Sequence, residues 1–389
     1  MSLRETQNRP CYRCDGLEST LIQTGRLPNT LSGPLLSPPI IRQPNTPDEH
    51  PRPSSRQTAL TAITATTANA TELFPAIAED LAAVDQVIRD RLHSEVALVR
   101  TVADYIVAGG GKRLRPVLVL LFARAHGAHA DHRRHVLAAV VEFIHTATLL
   151  HDDVVDESAL RRGRDTANSV FGNAASVLVG DFLYSRAFQM MVSAGDIAIM
   201  KILADATNII AEGEVLQLMN SRDADLDETR YLQVIRYKTA KLFEAAARLG
   251  ALIAGASIPL IETAAEYGLR LGTAFQVIDD VLDYAGNSHE IGKNLGDDLR
   301  EGKVTLPLIH LMRTGSPADQ TLVRSAIETG EGDFDAIARA VRDHGSLDYA
   351  RAQAISEAAI ARTCAQTLPA SPFREALLCL TSLAVDRDR

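Results

Sequence analysis

Tryptophan is absent and aromatic residues make up only 5 % of the 389-residue chain, so base-stacking platforms for single-stranded nucleic acid are not expected. Positive charge is in deficit as well. Lys+Arg number 40 against 49 Asp+Glu, a formal charge of −9, whereas a nucleic-acid partner calls for a basic face that neutralises phosphates. Four cysteines, Cys11, Cys14, Cys364 and Cys379, are too sparse for a disulfide framework. Cys11-Tyr12-Arg13-Cys14 has the spacing of half a zinc site, but no second Cys/His pair follows at a workable distance. No stretch reaches the roughly 20 apolar residues that span a bilayer. The longest uncharged apolar run, Leu249 to Ile261, is broken by Gly250, Gly255 and Pro259. Residues 1–30 lack the compact apolar region of a secretory signal, so the expected compartment is the cytoplasm. Alternating strand patterns and Asn-Gly hairpin turns are also missing.

Two compositional regions are present. Residues 1–70 are rich in Pro, Ser, Thr, Arg and Asn, with runs such as Ser37-Pro38-Pro39 and His50-Pro51-Arg52-Pro53 that cannot propagate a helix. They read as a disordered low-complexity extension, or equally as translation from a mistaken upstream start codon. Residues 71–389 read as one all-α domain. Leu73, Ile77, Leu81, Val84 and Ile88 form an apolar helical stripe, and Ser316-Pro317 and Ser371-Pro372 each place a capping hydroxyl before a Pro at the first helical position. With 46 % hydrophobic residues the core can be large. Loops are expected at 163–166 and at 286–302. The second carries Gly286, Gly292, Gly296 and Gly302 among charges and is either a connector or a lid.

The strongest chemical signal is Asp152-Asp153-Val154-Val155-Asp156 after a buried helical run, Val136 to Leu150. Asp152 and Asp156 then share a helix face one turn apart, where like charges repel. An acidic helix end on the surface is the plain explanation. A divalent cation between the carboxylates is the functional one, and magnesium, with its preference for carboxylate and phosphate oxygens, suits it. The pattern recurs at Asp279-Asp280-Val281-Leu282-Asp283 after a second apolar run, Gly268 to Ile278. Two such motifs on separate helices could hold several cations around one diphosphate and neutralise it as it leaves.

Basic groups lie near both motifs. Gly109-Gly110-Gly111-Lys112-Arg113-Leu114-Arg115-Pro116 lets backbone and guanidinium approach a phosphate, though it is not a Walker sequence. Arg161-Arg162-Gly163 is equally explained by charge and geometry at a helix C-terminus. Lys238-Thr239, Lys293 and Lys303 complete the set, although single lysines are usually solvated. Together these groups imply two phosphorylated ligands, one of them metal-bound.

On Gly110-Gly111-Lys112-Arg113-Leu114-Arg115-Pro116, Leu149-Leu150-His151-Asp152-Asp153-Val154-Val155-Asp156 and Phe275-Gln276-Val277-Ile278-Asp279-Asp280-Val281-Leu282-Asp283 the sequence resembles the trans-prenyl diphosphate synthases. Val179-Gly180-Asp181-Phe182-Leu183 and Glu212-Gly213-Glu214-Val215-Leu216-Gln217-Leu218-Met219 extend the resemblance, which begins near Glu72 and runs to Asp386-Arg387-Asp388-Arg389. It implies antiparallel helices around a deep cavity, Mg2+ as cofactor and a homodimer. By position it implies metal binding by Asp152, Asp156 and Asp279, supported by Asp153, Asp280 and Asp283. Lys112, Arg115, His145 and Arg162 would bind isopentenyl diphosphate. Arg161, Lys238, Thr239, Gln276, Lys293 and Lys303 would serve the allylic diphosphate, with Lys293 and Lys303 closing over it.

The activity so implied is repeated condensation of isopentenyl diphosphate onto an allylic primer, farnesyl diphosphate for preference. The product would be a long all-trans chain of the kind quinones carry, of eight units, with nine or ten as alternatives. Ala147 lies five residues before Asp152, about 7.5 Å down the helix. Its small side chain and that of Thr148 leave room for a long product, and Phe188, Met190 and Met191 are candidates for the floor, or else ordinary core residues. A lipid product implies transient membrane contact. Two other readings are weaker. A terpene cyclase would need neither the Lys112/Arg115 loop nor a second Asp-rich motif, and an inactive subunit of a heteromeric synthase would be expected to carry degraded motifs.

Overall fold

The computed structural model describes residues 74–128, 131–161, 163–285 and 296–387. After a short 3-10 turn, Pro75–Ile77, the chain runs through α1 (Ala78–Leu92), α2 (Ala97–Ala108), α3 (Leu114–Ala125) and α4 (Arg133–Val155). A two-stranded hairpin follows, β1 (Leu160–Arg161) against β2 (Arg164–Asp165), with Leu160 opposite Asp165. Next come α5 (Ala167–Phe171), α6 (Asn173–Ser193), α7 (Ile197–Asn220) and α8 (Glu228–Ile235), then a π-helical turn at Arg236–Ala240 that leads into α9 (Lys241–Ile253). The 28-residue α10 (Ile258–Ala285) is the longest helix. The chain continues with α11 (Asp297–Arg300), α12 (Leu306–Thr314), α13 (Pro317–Thr329), α14 (Phe334–Asp343), α15 (Ser346–Gln366) and α16 (Pro372–Val385).

The all-α expectation holds, and the only strands among the described residues are the two of the hairpin, which replaces the loop expected at 163–166. Part of the 286–302 stretch is the helical turn α11, and its residues 286–295 lie outside the described set, as do residues 1–73. Leu81, Val84 and Ile88 are buried as their spacing requires. Both expected caps form: Ser316 Oγ accepts from the Asp319 amide and Ser371 Oγ from the Arg374 amide.

Two apolar cores are joined by α10. Its first half, with Ala264, Tyr267 and Leu271, packs into a core shared with α1, α3, α4, α6 and α9. Its second half, from Ala274 to Tyr284, packs against α8, α12, α13, α14 and α15. Two glycines bring the π turn close to its neighbours. A Cβ on Gly272 of α10 would meet Ala240 Cα at 2.7 Å, and one on Gly213 of α7 would meet the Lys238 amide at 2.6 Å. Backbone packing at these points wedges Lys238 and Thr239 between α7 and α10.

Candidate active site

The first aspartate motif closes α4. The Asp156 amide donates to the Asp152 carbonyl at 2.8 Å, so both side chains share one face at the helix end. That face lines a cleft of about 1000 Å³, with Glu214, Glu301 and Lys303 also on its wall. Lys238 Nζ stands 3.7 Å from Asp152 and 2.6 Å from Glu214. Lys303 Nζ donates to Asp156 at 2.9 Å and to Glu301 at 2.6 Å. Burial raises the Asp152 carboxyl, the Lys238 charge opposes the rise, and the Asp156 charge adds to it. The Glu214 carboxyl is pushed up to about 7, again by burial first, against the pull of Lys238. Burial alone would lower the Lys303 ammonium, but the charges of Asp298, Asp156 and Glu301 raise it.

The second motif lies within α10 and is joined to the first through the π turn. Thr239 Oγ1 donates to Gln276 Oε1 at 3.0 Å, and Gln276 Nε2 donates to Asp280 at 2.9 Å. Lys238 and Thr239, adjacent in sequence, therefore touch one motif each. Asp279 accepts from Arg387 at 2.5 Å. Asp280 is buried and also accepts from the Tyr231 hydroxyl at 2.6 Å. Burial, with the nearby Asp298 charge, pushes its carboxyl up to about 8. Asp283 is buried inside the same helix.

Not every expected residue faces this cleft. Asp153 is buried and takes two bonds from Arg161, at 2.6 Å from Nη2 and 2.8 Å from Nε. Both line a second, small cavity of about 120 Å³ on another face of α4, together with His145, Arg113 and Gly109. Arg113 begins α3 in the left-handed conformation, at φ 48°, and pairs with Asp85 and Glu142. Lys112 beside it is exposed. The Arg115 guanidinium lies 4.5 Å above the Phe243 ring. Thr148 lines the cleft, while Ala147, Met190 and Met191 are buried in one apolar core and Phe188 points outward, 43 % exposed. Arg162 and Lys293 lie outside the described residues.

Glu214, Glu301, Tyr231 and Arg387 stand at the site although sequence reasoning gave them no role. Glu214 and Arg387 fall inside segments that carry the family resemblance, which was the only available signal.

Carboxylate oxygens are the donors a hard divalent cation takes, and Asp152, Asp156 and Asp279 are each contacted by a side-chain cation, Lys238, Lys303 and Arg387 respectively. Among the described residues no three such groups converge on one point as they stand, so a cation would be shared between the Asp152/Asp156 pair and the substrate's phosphate oxygens. Burial together with the neighbouring Asp156 charge makes ionised Asp152 costly, a cost that a metal ion would offset.

A model of the polyprenyl synthetase family matches residues 96–344. The octaprenyl diphosphate synthase of Escherichia coli (strain K12) is 52 % identical over 315 residues, 80 % of this chain and 97 % of that protein. Among solved structures, a polyprenyl synthase from Caulobacter crescentus, complexed with calcium and isoprenyl diphosphate, superposes with a TM-score of 0.79. It is 44 % identical and the match covers 82 % of this chain and 98 % of the other. A decaprenyl diphosphate synthase from Rhodobacter capsulatus superposes with a TM-score of 0.77 at 46 % identity, covering 82 % and 99 %.

Proposed function

This chain belongs to the polyprenyl synthetase family and is a prenyl-transferring enzyme, and we propose that it elongates an allylic diphosphate with isopentenyl diphosphate to octaprenyl diphosphate, using magnesium. The long-chain product class agrees with the relatives, which make octaprenyl and decaprenyl diphosphates. The observation that carries the reading is the bridge between the motifs, from Asp152 through Lys238-Thr239 to Gln276 and Asp280. It links two aspartate clusters 127 residues apart (152 to 279) through one turn of backbone, which supports their acting on one diphosphate.

Asp152, Asp156 and Asp279 would hold magnesium, which when bound supplies charge neutralisation to a departing diphosphate. Lys238 and Lys303 add fixed positive charge beside the leaving oxygens. The allylic carbon–oxygen bond breaks and its electron pair leaves with the diphosphate. The double bond of isopentenyl diphosphate then forms the new carbon–carbon bond, and a proton passes to a diphosphate oxygen. The Thr239 and Gln276 oxygens, 3.0 Å apart, present lone pairs to the cationic carbon between these events. Lys112, Arg115, His145 and Arg162 are assigned to the isopentenyl diphosphate, and Arg161 and Lys293 to the allylic diphosphate. Arg161 would do so from its station on Asp153.

A homodimer agrees with the apolar side chains exposed on α6 and α7, among them Leu178, Phe188, Val192, Leu218 and Met219. Phe188, exposed on this face, would then be an interface residue, while Met190 and Met191, in the same apolar core as Ala147, stay as the candidates for the tunnel floor. The cytoplasm is the proposed compartment, with transient membrane contact when the lipid is released, and residues 1–70 are proposed as an appended extension to a catalytic domain over 71–389.

The test is product mass. The protein is incubated with farnesyl diphosphate, isopentenyl diphosphate and magnesium, and the chains are sized after dephosphorylation. An eight-unit alcohol is expected, and no elongation by folded protein would overturn the reading. Ala147→Tyr should shorten the product by several units, and unchanged length would remove Ala147 from the tunnel.

A further inference from the structure

Arg387 lies two residues beyond α16, yet its side chain reaches α10, where Nη2 donates to Asp279 Oδ1 at 2.5 Å. The guanidinium lies over the Phe275 ring, 4.1 Å from its centroid. Phe275 precedes Asp279 by one helical turn, so ring and carboxylate form one continuous surface of α10. Nε and Nη1 are buried and find no acceptor among the described residues.

This is a poor way to satisfy an arginine. A guanidinium offers parallel N–H pairs, and a carboxylate commonly takes two of them. Arg124 shows that use in the same molecule, donating to both oxygens of Asp80 from Nε and Nη2. Arg387 instead makes one hydrogen-bonded contact beside its stacking on Phe275, and among the described residues its buried Nε and Nη1 have no acceptor. The contact holds a positive charge on Asp279 without locking it there.

We infer that Arg387 is a displaceable counter-cation of the second aspartate motif, competing with the divalent metal for Asp279 Oδ1. The inference rests on the reading of Asp279 as a metal ligand. One carboxylate oxygen cannot take the guanidinium and a metal ion in the same direction, and their charges repel at that range. Metal entry at α10 therefore requires the Arg387 side chain to leave Oδ1. Metal alone binds more weakly than the carboxylates would allow, whereas a metal arriving with a diphosphate brings the negative charge that lets both cations stay.

The test is manganese(II) titrated alone into the full chain, with the free ion read by electron paramagnetic resonance. Arg387→Gln should tighten binding roughly three- to tenfold, the range expected when a partly buried ion pair no longer has to be broken. Asp279→Asn should weaken binding, and adding Arg387→Gln to it should restore nothing. Unchanged or weaker binding in Arg387→Gln, with Asp279→Asn weakened, overturns the competition and leaves the metal reading standing. Unchanged binding in Asp279→Asn overturns that reading and the competition with it. Because the expected result is a gain, partial unfolding of the variant cannot mimic it.

Discussion

The two aspartate motifs share one pattern, Asp-Asp-Val-x-Asp, and in both the middle carboxylate is buried to the same degree, 4 % exposed for Asp153 and for Asp280. In both motifs the second position lies about 100° around the helix from the first, on a face that packs against the protein. Their surroundings then diverge. Asp153 meets the Arg161 cation. Among the described residues Asp280 accepts from the neutral donors Tyr231 and Gln276, and burial, with the nearby Asp298 charge, pushes its carboxyl up to about 8. The third positions differ as well. Asp156 ends its helix and reaches Lys303 in the cleft, while Asp283 is buried in the last turn of α10. One five-residue pattern thus yields two electrostatic sites, because the partners come from other elements.

The comparison can be tested hardest at the first positions. Asp152→Ala and Asp279→Ala should each lower kcat/KM by about 100- to 1000-fold, the scale of losing one preorganised stabiliser of transition-state charge. Elongation rates with labelled isopentenyl diphosphate measure this, and wild-type turnover in either variant would show that the two motifs do not act as a pair.

The middle positions should separate the motifs. Asp153→Asn leaves the Arg161 guanidinium without its counter-charge and should cost roughly 1–3 kcal/mol of stability. Asp280 behaves differently with pH. Between the ordinary value of 3.8 and about 8 its folded form keeps a proton that the unfolded chain has released. The folded state then binds more protons, so stability falls as pH rises through that window. Asp280→Asn should flatten the fall, and Asp153→Asn should not. Thermal melts across the window decide, and equal slopes for wild type and Asp280→Asn would mean that Asp280 is ionised throughout.

The smallest effect is expected at Glu214. Replacing it with Gln removes a group that titrates near 7 and frees Lys238 to move onto Asp152. The KM for the allylic substrate should change about two- to fivefold, in keeping with a partly exposed ion pair. An ionisation near 7 should also vanish from the pH profile of kcat/KM. A profile identical to wild type would confine Glu214 to packing.

What could be read in advance followed from local rules. Repeating apolar positions, Ser-Pro caps and the absence of strand patterns specify helices, because the interactions that start and bury a helix act within a few residues. The motifs could be read for the same reason, since a four-residue separation puts Asp152 above Asp156 wherever that helix goes. Lys238 and Lys303 were picked out by the family resemblance, although nothing in their own neighbourhood distinguished them from surface lysines. Glu214, Tyr231 and Arg387 escaped, because each acts on a residue far along the chain. Tyr231 donates across 49 positions and Arg387 across 108. The sequence by itself therefore determined the helices and the presence of two acidic clusters. Only the tertiary structure decided which cation or hydroxyl meets each carboxylate, and hence which of them hold protons. Those contacts depend on how α4, α7, the π turn, α10 and the residues after α16 come together, and burial makes each such contact count for more than any local preference.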